Sequence, residues 1–261
     1  GLVPTMGYLH EGHLSLLRAA RERCTVVVMS LFVNPSQFAA GEDLDAYPRD
    51  EARDLRLARA ERVDVVYAPS VEEVYPEGFA TAVEVGGELT SVLDGDPSRR
   101  GAEHFRGVTT VVAKLFNAVA PDFAYFGQKD AQQAAVIRRM AADLDFDVEI
   151  VVMPTIREDD GLAMSSRNAY LDPSERSQAT ALSRALRAVE HAAESGARDT
   201  ATALNAGRAE LEQAGLEAEY LEARDAATLA PAERFNGRPV LVAVAARVGK
   251  ARLIDNTVIG G

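Results

Sequence analysis

The chain begins with GLVPTMGYLHEGHLSLLRAARERC over residues 1–24, and this stretch decides the fold of its first part. An apolar run at residues 2–5 predicts a short buried strand, and the glycines at 7 and 12 predict a tight turn after it. Leucines and alanines then recur at helical spacing between charged residues. The pattern therefore predicts a strand, a turn and a helix, with His10 and His13 at the helix start.

A helix N-terminus attracts anions, because its first backbone N–H groups have no partner in the helix and carry the positive end of the helix dipole. Two imidazoles at that place indicate a phosphate site. A zinc site is one alternative, but Cys24 is alone and His104 and His191 have no suitable neighbours in the sequence. The His-Glu-x-x-His zinc pattern also needs one residue more than this chain has between its histidines. A structural or surface histidine pair is the other alternative, and the glycines beside a strand make it the weaker one.

Composition excludes several classes of protein. The 261 residues include 28 Lys and Arg against 40 Asp and Glu, which gives a net charge of −12, so binding to nucleic acid or to an anionic membrane is not expected. A single cysteine and the lack of a recognisable signal peptide favour the cytoplasm. The longest apolar run, residues 26–33, is too short to cross a bilayer. Gly1 already lies inside a strand pattern, which suggests that an N-terminal segment is missing.

Short β-branched runs alternate with helical patterns through the first three-fifths of the chain. The predicted strands cover residues 2–5, 26–33, 63–67, 123–126 and 148–153. Helical spacing is clearest at Val108, Val111, Val112, Leu115, Phe116 and Val119. Such strands joined through helices predict an α/β fold with a Rossmann-like, doubly wound parallel sheet. Ligands of these sheets bind beyond the carboxyl ends of the strands.

The pattern changes after residue 153, where a polar connector begins. Asp172-Pro173-Ser174-Glu175 is typical of a helix start. The expected helices end at Gly196 and Gly215, and short apolar runs at 219–223, 240–244 and 251–254 predict a small antiparallel sheet. We therefore expect two domains, at residues 1–156 and 157–261, the second a smaller α+β domain.

Polar residues follow two of the predicted strands. Gln37 lies after the strand at 26–33, where an amide suits a small polar ligand, although an ordinary loop residue is the alternative. Lys129 and Asp130 lie beside Gly127, after the strand at 123–126. They form either a solvated ion pair or a phosphate contact that the glycine leaves room for. Gln133 would then face the same ligand from the next helix.

The connector carries Met164-Ser165-Ser166-Arg167. Two hydroxyls and a guanidinium suit the oxygens of a triphosphate, because Arg can donate twice to one phosphate. A polar hinge is the alternative. A loop between two domains is also suited to closing over a nucleotide and excluding water.

Further motifs accompany these segments in a fixed order. They are Pro4-Thr5-Met6-Gly7, His10-Glu11-Gly12-His13, Phe32-Val33-Asn34-Pro35, Gln37-Phe38, Tyr47-Pro48-Arg49, His104-Phe105-Arg106-Gly107-Val108, Phe126-Gly127-Gln128-Lys129-Asp130, Gln132-Gln133, Met164-Ser165-Ser166-Arg167-Asn168 and Leu253-Ile254-Asp255-Asn256. The set resembles the AMP-forming pantoate–β-alanine ligase family over essentially the whole chain. Its first histidine motif is similar to the HxGH signature of the nucleotidyltransferase superfamily, and Met164–Arg167 is similar to the second, KMSKS-like phosphate loop of that superfamily.

The resemblance implies a two-step reaction. The carboxylate of D-pantoate attacks the α-phosphate of Mg·ATP and releases pyrophosphate, and the amine of β-alanine then displaces AMP from pantoyl adenylate to give pantothenate, in the coenzyme A pathway. A carboxylate is already ionised near neutral pH, so the first step needs charge stabilisation and positioning rather than a base. The resemblance also implies Mg²⁺ bound mainly by phosphates and water, and a homodimer.

The same resemblance implies the site residues. The catalytic residues would be His13, the proton donor, with His10, Lys129 and Arg167. The ATP contacts would be Met6, Gly7, Tyr8, Leu9, His10, Glu11, Gly12, His13, Gly127, Gln128, Lys129, Asp130, Ile156, Met164, Ser165, Ser166 and Arg167. Gln37 and Gln133 would bind pantoate, and Gln37 also β-alanine. Metal ligands are unknown, with Asp54 left open as an outer contact. Residues 1–156 would form the nucleotide- and pantoate-binding domain, and 157–261 a lid domain.

The chain departs from the family pattern at a few places, such as Tyr8 in place of a small residue and Ala131 in place of a common Tyr. The segment 98–103, before His104, is longer and more basic than the family pattern leads us to expect. Two other functions stay open at this point. Another HxGH-type adenylyl- or cytidylyltransferase would keep His10 and His13 but lose the paired glutamines. A non-catalytic nucleotide-binding paralogue is disfavoured because both phosphate motifs are intact.

Overall fold

The computed structural model describes residues 1–39 and 41–260. The chain divides into two compact units, Gly1–Pro154 and Thr155–Gly261. The sequence predicts this boundary after residue 156. Each unit has its own apolar core.

The first unit alternates strands and helices. Its strands are β1 (Leu2–Thr5), β2 (Val28–Leu31), β3 (Val65–Tyr67), β4 (Phe123–Gly127) and β5 (Glu149–Met153). Its helices are α1 (Glu11–Arg23), α2 (Glu51–Ala60), α3 (Val71–Val74), α4 (Gly101–Val119) and α5 (Ala131–Asp143). The strands form one parallel sheet in the order β3-β2-β1-β4-β5, which confirms the predicted doubly wound α/β fold.

Neighbouring residues of each strand face opposite sides of the sheet, and helices cover both sides. Leu2 and Ala124 pack against α4 and α5, whereas Val3 and Tyr125 pack against residues of α1 and α2. Burial on both faces is why the inner strands β1, β2 and β4 are mostly apolar rather than alternating between polar and apolar residues. The strand order reverses between β1 and β4, so a crevice for ligands is expected beyond their carboxyl ends.

β2 is shorter than its apolar run of residues 26–33. The backbone N–H of Val27 donates to the Asp64 carboxylate at 2.7 Å instead of entering the sheet, and Val26 is half exposed. At the other end, Pro35 begins a short 3-10 helix, Pro35–Gln37, whose first turn is capped by Asn34. Hydropathy alone therefore overestimates this strand at both ends.

The described residues 155–260 of the second unit form an antiparallel sheet and three α-helices. Its strands, β6 (Ala218–Asp225), β7 (Val240–Val248) and β8 (Ala251–Ile259), pair in that order. Its helices are α6 (Pro173–Ala179), α7 (Ala181–Glu194) and α8 (Thr200–Gln213). This arrangement confirms the smaller α+β part of the fold prediction.

The prediction of a single helix from Asp172 to Gly196 is wrong in one respect, because the helix is interrupted at Thr180. Asp172 caps the start as predicted: its side chain accepts from the N–H of Glu175, and its own N–H donates to the Glu175 carboxylate. The Thr180 hydroxyl donates to the carbonyl of Ser177 at 2.8 Å, and such bonds bend helices. The hydrophobic period continues through the interruption, so the sequence pattern does not reveal it.

No helix among the described residues is long and apolar enough to cross a membrane.

Candidate active site

The turn after β1 places the two histidines at the start of α1. Gly7 and Tyr8 both adopt left-handed backbone conformations, with φ of +84° and +51°. The turn ends at His10, which is the extended N-cap residue of α1. His10 and His13 therefore lie at the helix N-terminus, beside the point where the strand order reverses.

The two imidazoles stack at a centroid separation of 4.0 Å. The backbone N–H of His10 donates to Nδ1 of His13 at 3.3 Å, so the neutral His13 ring carries its proton on Nε2. Burial, the His10 ring and the charge of Lys129 together lower the pKa of His13 well below its ordinary value. His13 is therefore neutral at physiological pH and can still donate one hydrogen bond through Nε2.

Lys129 approaches the histidines from the neighbouring strand. It lies in the 3-10 turn Gln128–Asp130, directly after β4, and its ammonium is 3.5 Å from the Asp130 carboxylate. The Lys129 charge is close enough to depress the pKa of His13. The structure thus brings Lys129 and the histidine turn together at the carboxyl ends of β1 and β4.

Gln37 lies beside the same turn. Its Nε2 approaches the sulfur of Met6 at 3.3 Å, and its Oε1 accepts from the Asn34 side chain at 3.1 Å. Its carbonyl oxygen accepts from Nδ1 of His104 at 2.7 Å. Burial and then the Arg100 charge lower the pKa of His104 to about 4, so the ring is neutral.

Arg100 completes this support behind Gln37. It donates to Nε2 of His104 at 3.0 Å and forms two bonds of 2.9 Å with Glu42. In the sequence, His104 is only part of a motif with no evident neighbours. Its contact with Gln37 spans 67 residues, so no local pattern could have revealed it.

The paired glutamines of α5 have different environments. Gln132 is buried and bonds to the backbone of Leu89, Val92 and Asp94, so it supports the loop before α4. Gln133 is half-buried, and its side chain has no hydrogen bond among the described residues. Gln133 is therefore the one of the pair whose amide can serve a ligand.

The remaining ATP-contact candidates of the first unit differ in exposure. Glu11 is exposed and pairs with Arg18. Leu9 is fully buried in the core, so only its backbone lines the turn. Gly127 ends β4, and a Cβ placed on it would meet no atom within 4 Å, which leaves space for a ligand at this position.

In the second unit, the structure brings Ile156 and the Met164–Arg167 loop together. The backbone N–H of Met164 donates to the carbonyl of Ile156 at 2.9 Å. Ser165 caps the 3-10 helix Ser166–Tyr170 by accepting from the N–H of Arg167, and Ser166 is buried. A bidentate pair between Arg157 and the buried Asp255 ties this segment to β8.

No group of three His, Cys, Asp or Glu side chains in residues 1–39 and 41–260 could hold a metal ion. Asp54, the open candidate for an outer metal contact, is buried and accepts hydrogen bonds from two backbone N–H groups of the histidine turn. The Asp54 carboxylate is therefore engaged by the backbone of the histidine turn.

A model of the Pantoate-beta-alanine ligase family matches residues 1–258. The pantothenate synthetase of Pelotomaculum thermopropionicum is 55% identical over 262 residues, and the match covers 100% of this chain and 91% of that relative. The Moorella thermoacetica pantothenate synthetase is 56% identical, with 99% and 90% covered.

Solved structures agree with these sequence matches. Pantothenate synthetase from Thermus thermophilus superposes with a TM-score of 0.94 at 50% identity, covering 98% of this chain and 92% of that one. The Francisella tularensis pantoate-beta-alanine ligase, solved with beta-gamma ATP and β-alanine, has a TM-score of 0.81 at 33% identity, with 98% and 88% covered. On its fold, its motifs and these full-length relationships, the chain belongs to the pantoate–β-alanine ligase family.

Proposed function

We propose that the chain condenses D-pantoate with β-alanine at the expense of ATP, through pantoyl adenylate, and forms pantothenate, AMP and pyrophosphate. The observation that carries this proposal is the group of His10, His13 and Lys129 at the strand switch, with the Gln37 amide beside it. A phosphate-binding turn next to an amide is what the transfer of AMP to a small hydroxy acid requires.

In the first step, the pantoate carboxylate attacks the α-phosphate, and pyrophosphate leaves. The carboxylate needs no base, so the residues must stabilise charge on phosphate and align the attack. His13 would donate its Nε2–H to a phosphate oxygen, and Lys129 would supply a positive charge. We assign Ser165, Ser166 and Arg167 to the phosphates as well, because hydroxyls and a guanidinium are suited to phosphate oxygens.

Pantoate binding is assigned to Gln37 and Gln133. An amide can donate to one hydroxyl or carboxylate oxygen and accept from another, which suits a molecule that carries both groups. Gln37 would also contact β-alanine in the second step. The His104 bond to the Gln37 carbonyl supports this assignment, because it fixes the backbone from which the amide projects.

Mg²⁺ would enter with ATP and neutralise phosphate charge during the attack. The proposal also includes a homodimer, on the family resemblance, and a cytoplasmic location, on the single cysteine and the need for ATP. Neither bears on the assignment of residues.

The direct test is an assay for AMP with the protein, ATP, Mg²⁺, D-pantoate and β-alanine. We expect AMP and pantothenate in equal amounts, and no AMP without pantoate. Pyrophosphate exchange into ATP should need pantoate but not β-alanine. ATP binding without any pantoate-dependent exchange would point to a non-catalytic paralogue. AMP transfer to another acceptor would point to a different nucleotidyltransferase.

A further inference from the structure

Asp54 on α2 is bonded to the turn that carries the two histidines. Its two carboxylate oxygens accept from the backbone N–H groups of Tyr8 and Leu9, each at 2.7 Å. Asp54 is 1% exposed, so its carboxylate is shielded from water. The shared family motifs of the sequence do not include Asp54.

Arg53, the residue before Asp54, is partly exposed and hydrogen-bonds to the same turn. Its guanidinium donates to the Leu9 carbonyl at 2.7 Å and lies 5.6 Å from the centre of the Tyr8 ring. Arg53 and Asp54 thus satisfy both the N–H and the C=O of Leu9. We call these two residues the α2 clamp.

The turn needs such support because its backbone is unfavourable on its own. Tyr8 has a φ of +51°, which lies in a backbone region that residues other than glycine rarely adopt. At Gly7, an added Cβ would lie 2.9 Å from Oδ2 of Asp54 and 2.7 Å from Leu31, so the carboxylate packs directly on the glycine. A strained conformation persists only where its surroundings hold it in place.

The turn leads directly into His10 and His13. The His10 backbone N–H fixes the His13 ring, so a shift of the turn would move both rings relative to Lys129. We propose that the α2 clamp positions the histidine turn for attack on ATP, which makes Arg53 and Asp54 positioning residues for adenylation. This inference rests on the proposed function.

The test uses Asp54→Asn in the full chain. The amide can accept from one of the two N–H groups, but it turns its own NH₂ toward the other. We expect pantoate-dependent pyrophosphate exchange to fall about 100-fold, the effect of a displacement of roughly 1 Å in a catalytic group. The KM for ATP should rise, and kcat/KM for β-alanine should stay within about twofold of wild type, because the second step does not use the triphosphate.

Asp64→Asn is the matched control. Asp64 also accepts from a backbone N–H at 2.7 Å, that of Val27, but at the amino-terminal edge of the same sheet. Thermal unfolding is recorded for both variants. The control should lose some stability and keep wild-type exchange and KM for ATP.

Arg53→Gln keeps the inference testable if Asp54→Asn does not fold. The Arg53 side chain is 39% exposed, so its replacement should leave the fold intact. Losing its charged bond to Leu9 should weaken exchange about tenfold.

Calorimetric titration with Mg·ATP provides a second readout that needs no turnover, and weaker ATP binding in the clamp variants is expected.

The clamp proposal is overturned if a folded Asp54→Asn variant keeps wild-type exchange and ATP affinity. If that variant does not fold, the same result in Arg53→Gln overturns it. An equal loss in Asp64→Asn would also overturn it, since general destabilisation would then explain the effect. Absence of pantoate-dependent exchange in the wild type would instead refute the proposed function, and the ATP titration would still decide on the clamp.

Discussion

At the scale of single residues, His13 shows how a neighbourhood sets a chemical state. Burial, His10 and Lys129 all favour the neutral ring, and the His10 N–H directs the remaining proton to Nε2. A neutral donor keeps its hydrogen bond across the physiological pH range, whereas an ordinary histidine would titrate within it. The state of His13 is therefore set jointly by its motif neighbour His10 and by the tertiary contacts that bury the ring and bring Lys129 close.

Replacing His13 by Ala should remove this donor. We expect turnover to fall about 100- to 1000-fold, as for loss of one preorganised donor in a transition state, while urea unfolding stays cooperative. The measurement is steady-state AMP release. His191→Ala is the control, because His191 is exposed on α7 and its replacement should leave turnover unchanged. Near-wild-type turnover without the His13 ring would remove it from the mechanism.

His104 should make the fold sensitive to acid. Its pKa falls from 6.5 to about 4 on folding, so the unfolded chain takes up the proton first as the pH drops. The stabilisation from the neutral ring is therefore complete above pH 6.5 and decreases as the pH falls toward 4. At pH 4 the loss should reach about 3 kcal/mol, since one pKa unit corresponds to about 1.4 kcal/mol.

Urea unfolding at pH 7 and pH 4 measures this effect. His104→Gln should lose about 2–3 kcal/mol less than wild type between the two conditions, because it has no ring to protonate. His191→Gln should lose as much stability as wild type. Equal losses in wild type and His104→Gln would show that His104 is not the acid-sensitive group.

At the scale of elements, α4 supports the site through a close approach to the 3-10 helix Pro35–Gln37. A Cβ on Gly107 would lie 2.3 Å from the Ser36 carbonyl oxygen and 2.7 Å from the Gln37 nitrogen. The Asn34 side chain also donates to the Gly107 carbonyl at 3.1 Å. The absence of a side chain at Gly107 thus allows the helix to reach the loop that carries Gln37.

Gly107→Ala should separate these two elements. We expect a loss of stability of about 1–3 kcal/mol from overpacking, and a rise in the KM for pantoate that exceeds the change in the KM for ATP. Gly86→Ala serves as the control, because a Cβ there meets no atom within 4 Å. A uniform change in both KM values would show that Gly107 affects only the stability of the unit.

At the scale of the whole molecule, each unit carries its own core. The first unit has one apolar cluster on each face of its sheet, and the second packs α7 and α8 on β6–β8. The boundary at Pro154 and Thr155 follows β5 directly. Separate cores allow the two units to open with different free energies.

Leu182→Ala tests this separation. Leu182 is 1% exposed in the core of the second unit, so its truncation should cost about 2–5 kcal/mol there. Native-state hydrogen exchange should show lost protection in β6–β8 and α7, with β1–β5 unchanged. An equal loss in both sheets would mean that the chain unfolds as one cooperative unit.

Much of the fold was predictable because its signals are local. The strand, turn and helix of residues 2–23 follow from hydrophobic period and glycine placement, and the Asp172 cap from four consecutive residues. Neighbouring side chains occupy nearly fixed positions in a helix or strand, so these patterns need no knowledge of the rest of the chain. The motif set carried the family assignment in the same way.

Local patterns in the chain therefore establish the α/β architecture, the family and the histidine turn. The contacts around that turn are visible only in the folded chain: Asp54 and Arg53 bond to its backbone, and His104 lies behind Gln37. These contacts join residues 44 to 67 positions apart. They form only when helices pack on the sheet. A helical period shows which face of a helix is buried, but not which distant residues that face contacts. Sequence patterns therefore locate the histidine turn but not the residues that support it.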